Sequence, residues 1–286
     1  MFDGSKKITS VVIGHDSVLA VEVIKRGGRL SLGKTAKARL SDPRSSVACT
    51  NAFGELKRSC VLKGPVTLSV PDTFARILIL EFAELPSKKA EALEVVTWKA
   101  AKQLYLRPEE CRVDYQILPA EGSIKALVLL MKEKEIREIE NALESSGIKA
   151  KKISTHSLDL INLLGSRSEP DSDASIILGM EGYITAMFLR SGLLDFYRCK
   201  ELEGSVSDGI SELTPAISYY NGRNPEFTPS RSYIFSDNQA FRDSAKGYLK
   251  GTAIKVCTDD YLIMEGAASL CKTDQTAILT ALGAAF

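Results

Sequence analysis

A two-lobed α/β fold built twice on one plan is predicted for this chain by three observations. Runs of β-branched residues with glycine turns open each half, helical periodicities follow each run, and a polar string separates the halves. At 286 residues the chain can bury a substantial core. Its composition, 44% hydrophobic and 26% charged, is that of an ordinary globular protein that should fold throughout.

The elements follow in order. Thr9 to Glu22, rich in Val11, Val12, Ile13, Val18, Leu19 and Val21, and Arg29 to Leu40, after the turn signal Arg26-Gly27-Gly28, predict an opening β-hairpin. Asn51 to Leu62 reads as a helix, and Pro65 to Val70 and Ala75 to Phe82 as strands about the Pro71-Asp72 turn. Ser87 is the expected N-cap of a helix that carries Leu93, Val96, Ala100 and Leu104 up to the Arg107-Pro108 break. Val113 to Leu118 and Ala126 to Met131 form a strand pair around Glu121-Gly122. A helix with Ile136, Ile139 and Leu143 follows and stops at Gly147, before a strand at Ile148 to Ser154 and a helix at Leu158 to Leu164. The string at 165–173 reads as a linker, which divides the chain into a first lobe at 1–165 and a second at 166–286. Strands at Ala174 to Leu178, Tyr183 to Leu189 and Leu193 to Cys199 turn at Glu181-Gly182 and Ser191-Gly192. Helix Asp208 to Tyr220, strand Ser232 to Phe235, helix Ala240 to Leu249, strand Ile254 to Cys257 and a terminal helix rich in Ala and Leu complete the chain.

Several function classes are disfavoured by composition. With 37 basic and 36 acidic residues there is no general field to attract nucleic acid or anionic lipid. The densest basic run, Lys149, Lys151 and Lys152, is interleaved with Ile148, Ala150 and Ile153 and reads as a solvated strand face. Six scattered cysteines without a CxxC spacing, and only two histidines, argue against a zinc site and for a reducing compartment. The N-terminus lacks the pattern of a signal peptide, and no stretch approaches the roughly 20 apolar residues that span a bilayer. A cytoplasmic location is expected, unless an anchor follows Phe286.

The informative segment is Val12-Ile13-Gly14-His15-Asp16-Ser17-Val18-Leu19-Ala20-Val21-Glu22. A glycine at a strand turn lets backbone N–H groups approach phosphate oxygens, and a nearby carboxylate organises magnesium. The segment resembles the first phosphate loop of the actin, sugar-kinase and Hsp70 superfamily, and specifically that of PilM-like type IV pilus assembly proteins. Leu68-Ser69-Val70-Pro71, Arg76, Glu84-Leu85-Pro86, the helix from Trp98 to Tyr105 and Asp114-Tyr115-Gln116-Ile117-Leu118 follow the order seen in that family. In the second half, Ile176-Ile177-Leu178-Gly179, the run Gly192 to Arg198, and Gly204 resemble the second phosphate strand pair and its sequel.

The resemblance implies an actin-like ATPase (ribonuclease H-like) fold with an αβ subdomain, at about 108–155, inserted into the first lobe. It also implies a terminal helix packed back between the lobes. Its nucleotide motifs are degenerate. Val12 stands where the magnesium carboxylate is expected, Leu19 where a lysine is, and Ile177 where the second acid is. After Ile234-Phe235-Ser236, the stretch Asp237-Asn238-Gln239-Ala240 replaces the glycines that let a nucleotide base approach. Gly14, Asp16, Ser17, Gly179, Gly204 and Ser236 are thus read as a vestigial nucleotide site, with Asp16 the one residue able to stand in for the missing acid. No catalytic residue, metal or cofactor is expected, bound ATP and magnesium being the weaker alternative, and the space between Gly14, Gly179 and Ser236 is expected to be filled by side chains.

The function implied is that of a pseudo-ATPase scaffold in the inner-membrane platform of a type IV pilus or type II secretion system, peripheral to the membrane through its partners. The implied partner is the N-terminal cytoplasmic tail of a PilN-like membrane protein, or a GspL/GspM-type protein, lying between the main and inserted parts of the first lobe; no nucleic acid is implied. Phe74, Arg76, Trp98, Tyr105 and Tyr115 are the candidate contacts. A GspL-like secretion domain, an active sugar or acetate-type kinase, and an actin-like filament former are the alternatives. His15 reads as a solvent-facing turn residue, Glu109-Glu110 as a surface charge pair, and Trp98 as either core or an anchor for a partner peptide.

Overall fold

The computed structural model describes residues 6–26, 29–59, 62, 64–120, 122–165, 173–248, 255–258 and 274–286. In chain order these form β1 (Lys6–Ile13), β2 (Ser17–Arg26), β3 (Arg29–Arg39), α1 (Ser46–Arg58), β4 (Val66–Val70), β5 (Ala75–Phe82), α2 (Lys89–Gln103), β6 (Cys111–Leu118), β7 (Ile124–Lys132), α3 (Glu133–Ser145), β8 (Ala150–Thr155) and α4 (His156–Gly165). The second half contributes β9 (Ala174–Met180), β10 (Tyr183–Arg190), β11 (Leu193–Glu201), α5 (Ile210–Arg223), β12 (Arg231–Phe235), α6 (Gln239–Tyr248), β13 (Lys255–Thr258) and α7 (Gln275–Ala284). The linker expected at 165–173 lies, apart from its ends, outside the described residues.

Two five-stranded sheets repeat one topology. The first has the order β3-β2-β1-β4-β8 and the second β11-β10-β9-β12-β13. In each, three strands meander antiparallel and the remaining two join parallel, as the pairs β1–β4 and β9–β12 show. Alternation of side chains sends each strand's apolar residues to both faces. Val11, Ile13, Val18 and Ala20 pack outward beneath α1 and α3, and Ile177, Ile184 and Ala186 pack outward beneath α5 and α6. Val12, Leu19, Ile176 and Leu178 face inward, into a core shared with Leu160, Leu163, Ile278 and Leu282 of α4 and α7. The two helices are therefore sandwiched between the sheets, which is why α7 is apolar and buried almost all round. At the crossing of these helices Gly283 allows backbone contact, since a Cβ built there would lie 1.8 Å from the Asp159 carbonyl oxygen.

The structure corrects several expectations. The run from Thr9 to Glu22 is two strands, because the turn at 14–16 is closed by Gly14 N–H donating to Ser17 O at 2.7 Å. Helix α1 begins at Ser46 instead of Asn51, because Ser45 caps it by accepting from Ala48 N. Ser87 caps nothing, and α2 starts at Lys89 without a side-chain cap.

The insert is also displaced from 108–155. Strands β5, β7 and β6, in that order, make a separate three-stranded sheet over 75–132, covered on one face by α2. Helix α3 packs on the main sheet, and β8 is one of its strands. Ile136, Ile139 and Leu143 share the outer core with Phe53 and Leu56 of α1, and β8 pairs parallel with β4.

Candidate functional site: a cleft between the lobes and a groove beside the inserted sheet

The first turn, Gly14 to Ser17, lies at the mouth of a cleft between the lobes. Its backbone is engaged internally: besides the Gly14–Ser17 bond, Leu40 N donates to Asp16 O at 2.7 Å, and Ser17 Oγ donates to the Asp16 carboxylate at 3.0 Å. A Cβ at 14 would stand 3.0 Å from Ser17 O, a tight contact that favours glycine at this turn. His15 is exposed, as expected, and its ring lies against Gly182 of the opposite lobe's turn. Inside the turn, Val12 and Leu19 are buried in the shared core and present no polar group to the cleft.

The second turn repeats the pattern and corrects one assignment. Ile177 faces away from the cleft, toward α5 and α6, so the inward positions of β9 are Ile176 and Leu178. Leu178 is fully buried, and the inner face of this strand carries no carboxylate either. Gly179 lines the cleft, and a Cβ there would meet the Phe241 ring of α6 at 2.4 Å. Its glycine therefore has a packing cause.

The third loop is a capping loop. Asn238 Oδ1 accepts from Phe241 N at 3.0 Å and caps α6. Asp237 reaches across to α7, where its Oδ1 accepts from both Thr276 N and Thr276 Oγ1 at 2.9 Å. Ser236 Oγ accepts from Asn238 N at 3.2 Å. Asn238 was legible as a cap from its place ahead of a helical run. The Asp237 contact spans 39 residues and had no local signal.

The cleft itself is open, not filled, with a volume of about 500 Å³. It brings Gly14, Asp16, Ser17, Gly179 and Ser236 together, whereas Gly204 is exposed and lies outside its lining. Among the described residues its walls carry six carboxylates, Asp16, Asp42, Glu181, Glu201, Asp237 and Asp274, and the two cations Lys37 and Arg44. Lys37 pairs with Asp274 at 2.8 Å, and Arg44 lies over the Phe74 ring between Glu135 and Glu201. An acid-rich cleft disfavours a polyphosphate. Among the described residues no three His, Cys, Asp or Glu side chains converge as a metal site.

Below the cleft runs a buried polar seam. Asp72 accepts from Ser157 N at 3.0 Å and from Thr185 Oγ1 at 2.7 Å, and burial raises its pKa. His156 Nδ1 and Tyr183 OH lie 2.6 Å apart, and burial pushes the imidazole down to about 4. Asp159 accepts from Ser69 Oγ at 2.5 Å while its Oδ1 has no partner among the described residues, and burial pushes this carboxyl up to about 7. None of these residues stood out in the sequence, because what makes them unusual is burial between lobes distant in the chain.

The five candidate partner contacts do not converge. Phe74 is buried beneath Arg44 in the cleft, and the Arg76 guanidinium is turned back onto the Ala75 carbonyl at 2.9 Å. Trp98 is 57% exposed and Tyr105 97%, so Trp98 is not core. Tyr115 is half-buried on β6, toward α2. Glu110 pairs with Arg107, at the surface as expected. A second depression, about 320 Å³, lies on the other side of the inserted sheet. Leu129, Met131, Ile136 and Ile153 supply its apolar lining, and the outer strands β6 and β8 border it. Arg112 on β6 is held by Glu133 and Glu140 of α3, whereas Lys151 and Lys152 on β8 are exposed.

No family model and no curated protein matches the chain. Solved structures do. A chain of the PilM–PilN type IV pilus biogenesis complex superposes with a TM-score of 0.74 at 16% identity, over 98% of this chain and 99% of that one. A Bacteroides thetaiotaomicron protein of unknown function with an actin-like ATPase fold gives 0.56 at 14% identity, over 96% and 95%. The cytoplasmic domain of EpsL, an inner membrane component of the Vibrio cholerae type II secretion system, gives 0.52 at 8% identity, over 80% and 82%. The fold is that of the actin-like ATPases. Among the described residues no helix is long and apolar enough to cross a membrane.

Proposed function

We propose that this chain is an assembly scaffold of a type IV pilus or type II secretion platform, which docks the cytoplasmic tail of a PilN-like membrane protein in the groove beside the inserted sheet and no longer turns over ATP. The observation that carries the reading is the end-to-end likeness to a chain of the PilM–PilN complex, inserted sheet included. The groove adds a physical reason. Outer strands β6 and β8 leave main-chain groups for an extended segment to pair with, while an apolar floor receives alternate side chains. Lys151 and Lys152 would select a tail with a carboxylate at that wall.

A fluorescent peptide of the PilN-like tail from the same organism should bind the full chain, as read by anisotropy. Leu129→Arg, in the groove, should weaken it at least tenfold, about 1.4 kcal/mol. Trp98→Ala, on the far side of the sheet, should leave affinity unchanged. A peptide that does not bind, or that is lost with Trp98→Ala and kept with Leu129→Arg, rejects the proposal.

Loss of ATP turnover is supported by the apolar Val12, Leu19 and Leu178, by the capping duties of Asp237 and Asn238, and by the acidic balance of the cleft. The open cleft keeps bound nucleotide as the competing reading. Calorimetric titration with magnesium ATP should show no binding tighter than about 100 µM, or roughly −5.5 kcal/mol. Tighter binding would reinstate a nucleotide site.

A further inference from the structure

We infer that the turn from Pro71 to Phe74 is a rigid junction that fixes the second lobe and the inserted sheet against the first lobe, so that the molecule works as one stiff frame and not as a hinged clamp. The inference is independent of whether the cleft takes a ligand. Asp72, at the centre of the turn, has no exposure, and its two carboxylate oxygens are divided between the lobes. Oδ1 accepts from Ser157 N in the first turn of α4, and Oδ2 from Thr185 Oγ1 on β10. The neighbouring His156 makes the second crossing, to the Tyr183 hydroxyl at the start of β10. Parting the lobes would take a hydrogen-bond partner from a buried carboxylate and from a buried imidazole together, and polar groups left unpaired in the interior are strongly penalised.

The same turn runs directly into β5, the outer strand of the inserted sheet. Ile77 and Ile79 of β5 and Tyr197 and Cys199 of β11 belong to one apolar cluster and the two strands touch, so the insert is braced on the second lobe as well as rooted in the first. The close approach of α7 to the α4 backbone at Gly283 further opposes sliding of one lobe on the other. The rim pairs Lys37–Asp274 and Arg44–Glu201 are exposed and add little.

The test is pulsed electron-spin distance measurement on the full chain. Spin-labelled unnatural amino acids at the exposed Asn51, Glu94 and Ser218, on α1, α2 and α5, leave the six native cysteines in place. Every pair in the otherwise unaltered protein should give one narrow distance that millimolar magnesium ATP does not shift. Combining Thr185→Val with Tyr183→Phe should broaden the Asn51–Ser218 and Glu94–Ser218 distances and spare Asn51–Glu94. Thr185→Ser, which keeps the donor, should stay narrow. A broad, bimodal or nucleotide-shifted lobe-to-lobe distance in the unaltered protein overturns the inference, and so does a folded double variant as narrow as the parent. Should the double variant fail to fold, the unaltered protein still decides.

Discussion

Replacing Gly283 by alanine is expected to cost about 3 kcal/mol or more of folding free energy, the upper end of what overpacking by one methyl group does. The added Cβ would stand 1.8 Å from the Asp159 carbonyl oxygen and 2.5 Å from its carbon, both backbone atoms that no rotamer change can move. Helices α4 and α7 would have to separate, and the core they share with both sheets would loosen with them. Gly247→Ala is the control. No described residue lies within 4 Å of its Cβ position in α6, so helix propensity should raise stability by up to about 1 kcal/mol. Urea unfolding of both variants reads the contrast, and a Gly283→Ala protein as stable as its parent would disprove the close crossing.

The second large effect is a pH dependence carried by Asp159. Its pKa is raised from 3.8 to about 7, so between those values the folded state keeps a proton that the unfolded chain has lost. Stability contributed by this group therefore declines as pH rises through the window, by roughly 4 kcal/mol in all. His156 works in the opposite sense. Its pKa is lowered from 6.5 to about 4, so the unfolded chain holds the extra proton and stability rises with pH from about 4 to 6.5. In the native sequence the two slopes oppose each other. Asp159→Asn removes the first and should gain roughly 4 kcal/mol on the parent between pH 4 and pH 8, whatever its offset at pH 4. Denaturant unfolding over that range checks it, and a constant difference between the two proteins would mean that Asp159 titrates normally.

What the sequence revealed and what it hid divide along a physical line. The meander of β9, β10 and β11 was legible because its signals are local: β-branched runs broken by Glu181-Gly182 and Ser191-Gly192, with glycines at φ +86° and +73°. The exposure of Trp98 was also within reach, since Val96 and Ala100 occupy the buried stripe of α2 and position 98 lies across from it. The insert was placed too late because periodicity identifies a strand and not the sheet it joins. Β-strand β5 follows β4 closely in sequence yet pairs with β7 in another sheet. Ile177 and Leu178 posed the same difficulty at the cleft. Alternation assigns them opposite faces, and only docking of the two lobes decides which face is inward. The polar seam of Asp72, His156 and Asp159 is the extreme case, since ordinary residues acquire their character from partners more than 25 positions away.

The capping loop at 236–238 constrains how such a cleft changes over generations. A lineage that acquired glycine at 237 would make room beside Ser236 and, in the same step, release the first turn of α7. One that acquired a carboxylate at 12 or 178 would bury an unpaired charge in the core between the lobes. Each of these steps lowers stability before any ligand compensates for it, so selection for a well-folded chain opposes both. Substitutions accumulate most freely where they leave both the frame and the groove intact, at the exposed rim, and that is where descendants of this protein should differ most.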